Sequence, residues 1–480
     1  MEPRAPHYQD LNEEFNYDKL AIHGNLPSWL EGTLVRNGPA KFTVGERALS
    51  HWFDGLAMLH AFSFHGGEVS YCNRYLRSAA YKRVFEKGRL DYEMFAADPC
   101  GTRFSRFMTA LVRPFSSEKG SIPNANVNVA KIAGEYVALT DLPLPVRFDL
   151  STLGTLGLLE FDDPLPKNRA AGSAHPHYDA KEQATIGYLV EFGRKCRYQF
   201  YQIKEGAKLE RRVFAQMEVS EPSYMHSFSL TESYAILIEQ PLVVNPRKLL
   251  LSTRPFIRNF EWRPERGTHF HLFHRQTGKF VGSWVAEPFF FFHTVNAFEE
   301  EGVVHVDLFT YKDATAIDAI ADFAFADRYP SDAGASKLMR YSLALDGTSI
   351  TSSTLLPLNV ELPRINPAYD ARNYTYLYAT DLDSPLEQGR GRSLVKIDTK
   401  AHTVIPWSQS GCCPGEPLFI AAPGATREDE GVVLAVVLDA SGSHTFLLVL
   451  DATTFKEVAR AEVPLAIPVG LHGEFFERAF

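Results

Sequence analysis

The chain has 480 residues, 45% hydrophobic and 22% charged, so it can bury a large core. Its 49 basic and 58 acidic residues give a net charge of -9 without long like-charge blocks, which argues against nucleic acid, whose phosphates need a basic face. Five scattered cysteines (Cys72, Cys100, Cys196, Cys412 and Cys413) form no disulfide framework, so the expected compartment is reducing and cytoplasmic.

Along the chain, the opening MEPRAPHYQDLNEEF has no apolar leader, and no later window reaches the length of a membrane-spanning helix. Short apolar or alternating runs then recur at 67–76, 135–141, 185–193, 233–240, 303–311, 374–382, 431–440 and 444–454. Most are bounded by Gly, Pro, Asp or Asn, the pattern of strands joined by turns. Helical patterns are few: residues 312–328 are the best, with weaker ones near 104–113 and 246–260. Many short strands over this length predict a closed all-β architecture, and a propeller of about seven blades fits. No linker rich in Pro, Ser or Gly divides the chain, so residues 1–480 read as one domain, with about 1–20 as an N-terminal extension.

Thirty-five phenylalanines against five tryptophans can fill a core or line an apolar tunnel. Among sixteen histidines, His269, His271 and His274 are the densest group, but no nearby acid is evident to orient their rings, and they read as ordinary strand residues. His51 and His60 likewise read as residues that satisfy backbone groups. His175 (GSAHPHYD), His226 (SYMHSFSL), His293 (PFFFFHTVNAF) and His472 (PVGLHGEFF) sit in apolar or small-residue surroundings, where an uncompensated imidazole is costly. Those contexts alone leave hydrogen-bonded core histidines and metal ligands both open.

The runs EGTLVRNGPAKF, HWFDGLAMLHAFSFHGGEVSYCNRYLRS, NANVNV, SAHPHYD, YMHSFSLTESYAILIEQPL, FFHTVNAFEEEG, LPRINP, GEPLFI and LHGEFF occur in the order of the carotenoid cleavage oxygenases. The chain resembles that family over about residues 25–475, closest to the branch of β-carotene oxygenases and the retinoid isomerase of the retinal pigment epithelium. The resemblance implies a seven-bladed β-propeller, with a dome of loops and helices over an iron site and substrate tunnel. It implies one Fe(II) per chain, held by His175, His226, His293 and His472. Acids that orient the ligand rings would be Asp141, Glu361 and Glu416. Asp141 departs from the usual glutamate and is one methylene shorter, so its contact would be water-bridged or its strand closer. Val127, Phe53, Phe291 and Leu471 would border the pocket for substrate and O2, with Val127 where cleaving members often have threonine and the isomerase has valine.

The implied reaction inserts O2 across a conjugated C=C bond of a carotenoid or apocarotenoid, giving two carbonyl products. Thr140 stands where stilbene-cleaving members carry a lysine, which disfavours a phenolic stilbene. The alternatives are a non-oxidative retinoid or carotenoid isomerase, a stilbene-cleaving oxygenase, and a polyene-binding propeller without turnover. Because polyenes partition into membranes, segments 100–115 and 246–262, which mix Phe and Leu with Arg and Lys, are expected to meet a membrane surface, making the protein peripherally membrane-associated. Cys100 lies in DPCG, where the animal branch has a DPCK pattern implicated in membrane attachment; glycine replaces the lysine, so lipidation is not carried over.

Overall fold

The computed structural model describes residues 9–477, apart from 46, 50, 89–93, 97–121, 168, 253, 324–334, 383–384, 387–388, 391 and 440–443. The segment 100–115, Cys100 and the pattern near 104–113 therefore lie outside the described residues.

Alternating runs become outer strands and continuous apolar runs become inner ones. Glu68–Tyr75 and Glu457–Val463 alternate exposed or partly exposed with buried positions, as a strand with one solvated face must. Tyr234–Glu239 and Thr445–Asp451 are buried along nearly their whole length, because they are packed on both faces. All eight strand runs read from the sequence are strands, with ends shifted by at most three residues. The best helical pattern yields a helix over Thr315–Phe323, and the 246–260 pattern yields a helix over Pro246–Leu251 followed by a short turn of 3-10 helix at Phe256–Asn259.

Among the described residues, seven antiparallel sheets of four or more strands form the blades of a propeller. Blade 1 pairs Gly473–Phe476 with Gly32–Lys41, then Leu56–His65, Glu68–Tyr75 and Asn16–Tyr17. Blade 2 runs outward from Asn128–Ile132, and blade 3 begins with the broken strand Ala170–Gly172 and His177–Asp179. Blades 4, 5 and 6 begin at Ser229–Leu230, Thr294–Glu300 and Val360–Arg364. Blade 7 begins at Cys412–Pro414 and Leu418–Ala421, and its outermost strand is the N-terminal Ala21–Gly24 paired with Glu457–Val463.

The circle is thus closed twice between blades 7 and 1. A C-terminal strand completes blade 1 from inside, and an N-terminal strand completes blade 7 from outside. Of the residues expected to form an N-terminal extension, several described ones pack along blade 1: Asn16 and Tyr17 pair with Cys72 and Tyr71, and Leu20 is buried in the adjoining core. Gly38 lies where a Cβ would come within 2.6 Å of the Gly470 Cα, so glycine allows the two segments to touch.

The ordinary histidines take the roles expected of them, with two corrections. His51 Nδ1 accepts from the Phe53 N–H, and its Nε2 meets the Ile317 carbonyl at 3.3 Å. His60, expected to satisfy backbone, instead pairs with the Tyr71 hydroxyl at 2.9 Å. His271, read as lacking an acid, meets Glu239 at 2.9 Å, because the neighbouring strand brings that carboxylate beside it. Among the described residues, the 269–274 histidines form no metal-ligating group. Burial lowers His51 to about 4 and His60 to about 3, so both stay neutral while an unfolded histidine near 6.5 would take a proton.

Because the unfolded chain then binds more protons, the stability these two histidines contribute is complete above pH 6.5 and is lost as pH falls toward 4 for His51 and 3 for His60. Urea titrations should show a cost of about 2 kcal/mol per buried histidine by pH 5, and His60→Gln should flatten that slope.

Candidate metal centre

His293 immediately precedes the inner strand of blade 5, and His472 immediately precedes that of blade 1. His226 lies three residues before the inner strand of blade 4, and His175 occupies the break in that of blade 3. Inner strands converge on the propeller axis, so residues far apart in sequence meet there. One ligand nitrogen from each of the four lies within 4.8 Å of the others, and three of the residues are buried. The His175 and His226 Nε2 atoms are 3.0 Å apart, and those of His293 and His472 are 3.2 Å apart.

Three carboxylates turn these rings. Glu361 lies 2.6 Å from the His293 Nδ1, Glu416 lies 2.7 Å from the His472 Nδ1, and Asp141 lies 3.3 Å from the His226 Nδ1. The short aspartate makes a direct but long contact, which it shares with the Tyr224 hydroxyl at the same distance. His175 has no carboxylate partner among the described residues; its backbone N–H donates to Ser173 Oγ.

The tautomers follow from these bonds. An imidazole donating from Nδ1 to a carboxylate carries its proton there, leaving Nε2 as a bare lone pair. The His293 and His472 lone pairs therefore face each other at 3.2 Å with no proton between them, an arrangement that a cation would turn from repulsion into coordination. Neutral imidazole is also the ligating form. Burial lowers His472 to about 3 against the opposing pull of Glu416, and burial with the three neighbouring rings holds His175 well below its ordinary range. Four imidazoles fit a transition-metal ion such as zinc, copper, iron or nickel, and suit calcium or magnesium poorly.

The acids are held by partners the sequence did not reveal. Glu416 accepts from Arg36, from Arg364 Nε at 2.9 Å and from the Gly473 N–H at 3.1 Å. Burial would raise this carboxyl, but Arg364, Arg36 and His472 hold it well below the usual range. Glu361 accepts from the Tyr311 hydroxyl at 2.6 Å and the Leu362 N–H at 3.0 Å, and with His293 these outweigh its burial and lower it.

In a regular strand, Glu361 and Arg364 would point to opposite faces. A bulge between them, with Leu362 at φ 58°, corrects the parity so that both reach inward. That left-handed conformation costs about 1–2 kcal/mol in a residue other than glycine, and the carboxylate bond at Leu362 N holds it.

Of the expected pocket residues, Val127, Phe53 and Leu471 meet in one apolar cluster with Trp52 and Phe42, next to His472. The Val127 carbonyl accepts the His472 N–H at 3.1 Å. Phe291 is a correction. It is fully buried between blades with Phe289, while Phe290 and Phe292 face the opposite side, where Phe292 lies 6.0 Å from the His226 ring and 6.2 Å from Phe53. Alternation across the four phenylalanines holds, but His293 fixes the parity on 290 and 292. Counting back from the ligand would have found it.

In segment 246–262, the expected membrane surface is not evident. Ile257 is buried, and Lys248, Arg258 and Arg263 pair with Glu261, Asp318 and Glu221. No helix among the described residues is long and apolar enough to cross a membrane.

Contact lengths rank the acids. Glu361→Gln should weaken metal binding by about 10- to 100-fold in competition with a chelator, whereas Asp141→Asn should cost less than about tenfold. Glu416→Gln takes the carboxylate partner from the buried Arg36, so it should cost about 3–5 kcal/mol in urea unfolding.

The family model described as retinal pigment epithelial membrane protein (RPE65) matches residues 8–477. The chain is 32% identical to a β,β-carotene 15,15'-dioxygenase of Gallus gallus, with 95% of each chain covered. It is 35% identical to a carotenoid isomerooxygenase of Galleria mellonella, covering 95% of this chain and 93% of the relative. Among solved structures, a chimera of ACO and RPE65 superposes with a TM-score of 0.86 at 25% identity, with 98% of both chains covered. A glutamate-to-aspartate variant of Synechocystis apocarotenoid oxygenase gives the same score, identity and coverage.

Proposed function

The chain belongs to the carotenoid oxygenase family that includes RPE65, and on that premise we propose that it is a non-haem iron dioxygenase cleaving a carotenoid or apocarotenoid. The observation that carries the reading is the set of four converging imidazoles with Nδ1–carboxylate bonds turning lone pairs inward. His175, His226, His293 and His472 would hold one Fe(II), which when bound supplies the reaction with a place for O2. The overall change is R–CH=CH–R′ + O2 → R–CHO + R′–CHO, in which the carbon–carbon double bond is lost and both oxygen atoms enter the products.

The chain's own residues supply orientation and dryness. Glu361, Glu416 and Asp141 fix the ligand rings, so the open side of the cluster keeps one direction. Phe53, Phe290 and Phe292, with Tyr311 behind them, make an aromatic layer against His226 and His293 that suits a flat conjugated chain. Val127 and Leu471 add aliphatic bulk beside His472 that keeps water from the cluster. Thr140, next to Asp141, supplies a neutral hydroxyl in place of an ammonium for a phenolate, which supports a polyene over a stilbene.

We read residues 1–480 as one domain. We also read the protein as cytoplasmic and peripherally membrane-associated, since its substrate partitions into lipid.

One feature favours a second reading. Val127 replaces the threonine common in cleaving members, and the family includes the retinoid isomerase branch.

Fe(II)-loaded protein incubated aerobically with β-carotene or an apocarotenal in detergent should give paired aldehydes by chromatography and mass. In His293→Ala the aldehydes should vanish, because one ligand and the Glu361 bond are lost together. Altered double-bond geometry without fragments would establish isomerisation in place of cleavage. Iron-bound protein with unchanged polyene would leave a binding role.

A further inference from the structure

Around the axis, the inner strands are joined by side chains that bridge from one ligand's backbone to the next. Asn128 Nδ2 donates to the Ala174 carbonyl at 2.9 Å, joining blade 2 to the residue before His175. Ser173 Oγ accepts the His175 N–H at 3.0 Å and donates to the His226 carbonyl at 2.6 Å, joining blades 3 and 4. Ser227 Oγ accepts the Thr294 N–H at 2.9 Å and donates to the Phe292 carbonyl at 2.8 Å, joining blades 4 and 5 on either side of His293. Tyr311 carries the circuit to Glu361, and Arg364 carries it to Glu416 and to the Gly473 carbonyl at 2.5 Å. The His472 N–H, bonded to the Val127 carbonyl, returns it to blade 2.

Two members of this circuit stand out. Ser173 and Ser227 each use one oxygen as acceptor for one backbone group and as donor to another, beside two different ligands. A hydroxyl is the smallest side chain able to do both. The two serines are therefore staples across the gaps between blades 3 and 4 and between blades 4 and 5, which carry His175, His226 and His293. Ser173 has a particular importance, because His175 has no carboxylate to orient it among the described residues.

We infer that Ser173 and Ser227 are positioning residues of the metal centre: their hydroxyls set the spacing between the backbones of His175, His226 and His293, and so fix how tightly the ion is held. The inference rests on the four-histidine metal reading. Ser229, two residues beyond Ser227, is a control, since its buried hydroxyl has no hydrogen-bond partner among the described residues.

The experiment uses metal-free full-length protein titrated anaerobically with Co(II). Its visible absorption reports ligand geometry, and its loss to excess chelator gives a dissociation rate. Ser173→Ala and Ser227→Ala should each release Co(II) about tenfold faster and shift the visible bands, with Ser229→Ala matching wild type. Thermal melting of the metal-free forms separates this from general destabilisation, and either serine variant alone suffices if the other does not fold. Release and spectra unchanged in a folded serine variant would overturn the inference while leaving the metal centre intact. Effects as large in Ser229→Ala would overturn it too, as a property of any hydroxyl removed from that strand. Wild-type protein that takes up no Co(II) would overturn the metal reading and this inference together.

Discussion

Everything at the centre of this molecule depends on one topological constraint: the propeller must close before its fourth imidazole can arrive. His472 stands at the head of the strand that completes blade 1, and that strand pairs with Gly32–Lys41 from the far end of the chain. Arg36, on the receiving strand, reaches across to Glu416, which turns the His472 ring. Fold closure and ligand orientation therefore share the same residues. An all-imidazole site also places no carboxylate against the ion, so the charge needed to hold the rings must come from outside the ligand set, and the three acids supply it from behind.

Those acids are anchored differently. Two guanidinium groups hold Glu416, a tyrosine hydroxyl and a strained backbone N–H hold Glu361, and a tyrosine hydroxyl at 3.3 Å holds Asp141. A carboxylate clamped by two cations has less negative charge to lend to its imidazole than one bonded only to a hydroxyl, so the ligands differ in basicity although all are histidine. Asp141 is the loosest of the three, with both of its side-chain contacts at 3.3 Å, as its side chain is one methylene shorter than a glutamate's. The site is accordingly tight on the His293 and His472 side and slacker around His226.

Much of this architecture was legible in the sequence, for identifiable reasons. Strand runs show because burial on one or two faces writes a period of two or an unbroken apolar stretch, and every run picked out became a strand. The four histidines were visible as imidazoles in apolar surroundings, but only the family resemblance separated them from core histidines, since their partners lie in other blades. What stayed hidden depends on register. Arg364 could not be paired with Glu416 without knowing of the bulge at Leu362, which reverses its face. The acid beside His271, Glu239, is supplied by a neighbouring strand and so is invisible in the local sequence. The parity of a four-phenylalanine run is undetermined until one neighbour is fixed, so the run alone does not separate Phe291 from Phe292. Tyr224 and Tyr311 gave no signal, being ordinary aromatic residues whose hydroxyls matter only through distant carboxylates.

The double closure has a consequence for how the protein comes into being. Synthesis runs from the N-terminal side, and the Gly32–Lys41 strand emerges hundreds of residues before the partner that covers its inner edge. Until then that edge is a row of unpaired, largely buried-type backbone and side chains, open to pairing with another chain. His175, His226 and His293 exist long before His472, so a nascent chain can offer at most three imidazoles. Contacts of such long sequence separation form slowly. Completion of the four-imidazole cluster is thus a late event, coupled to the last step of folding, and a cell making this protein faster than its ring can close would accumulate open chains with an adhesive edge.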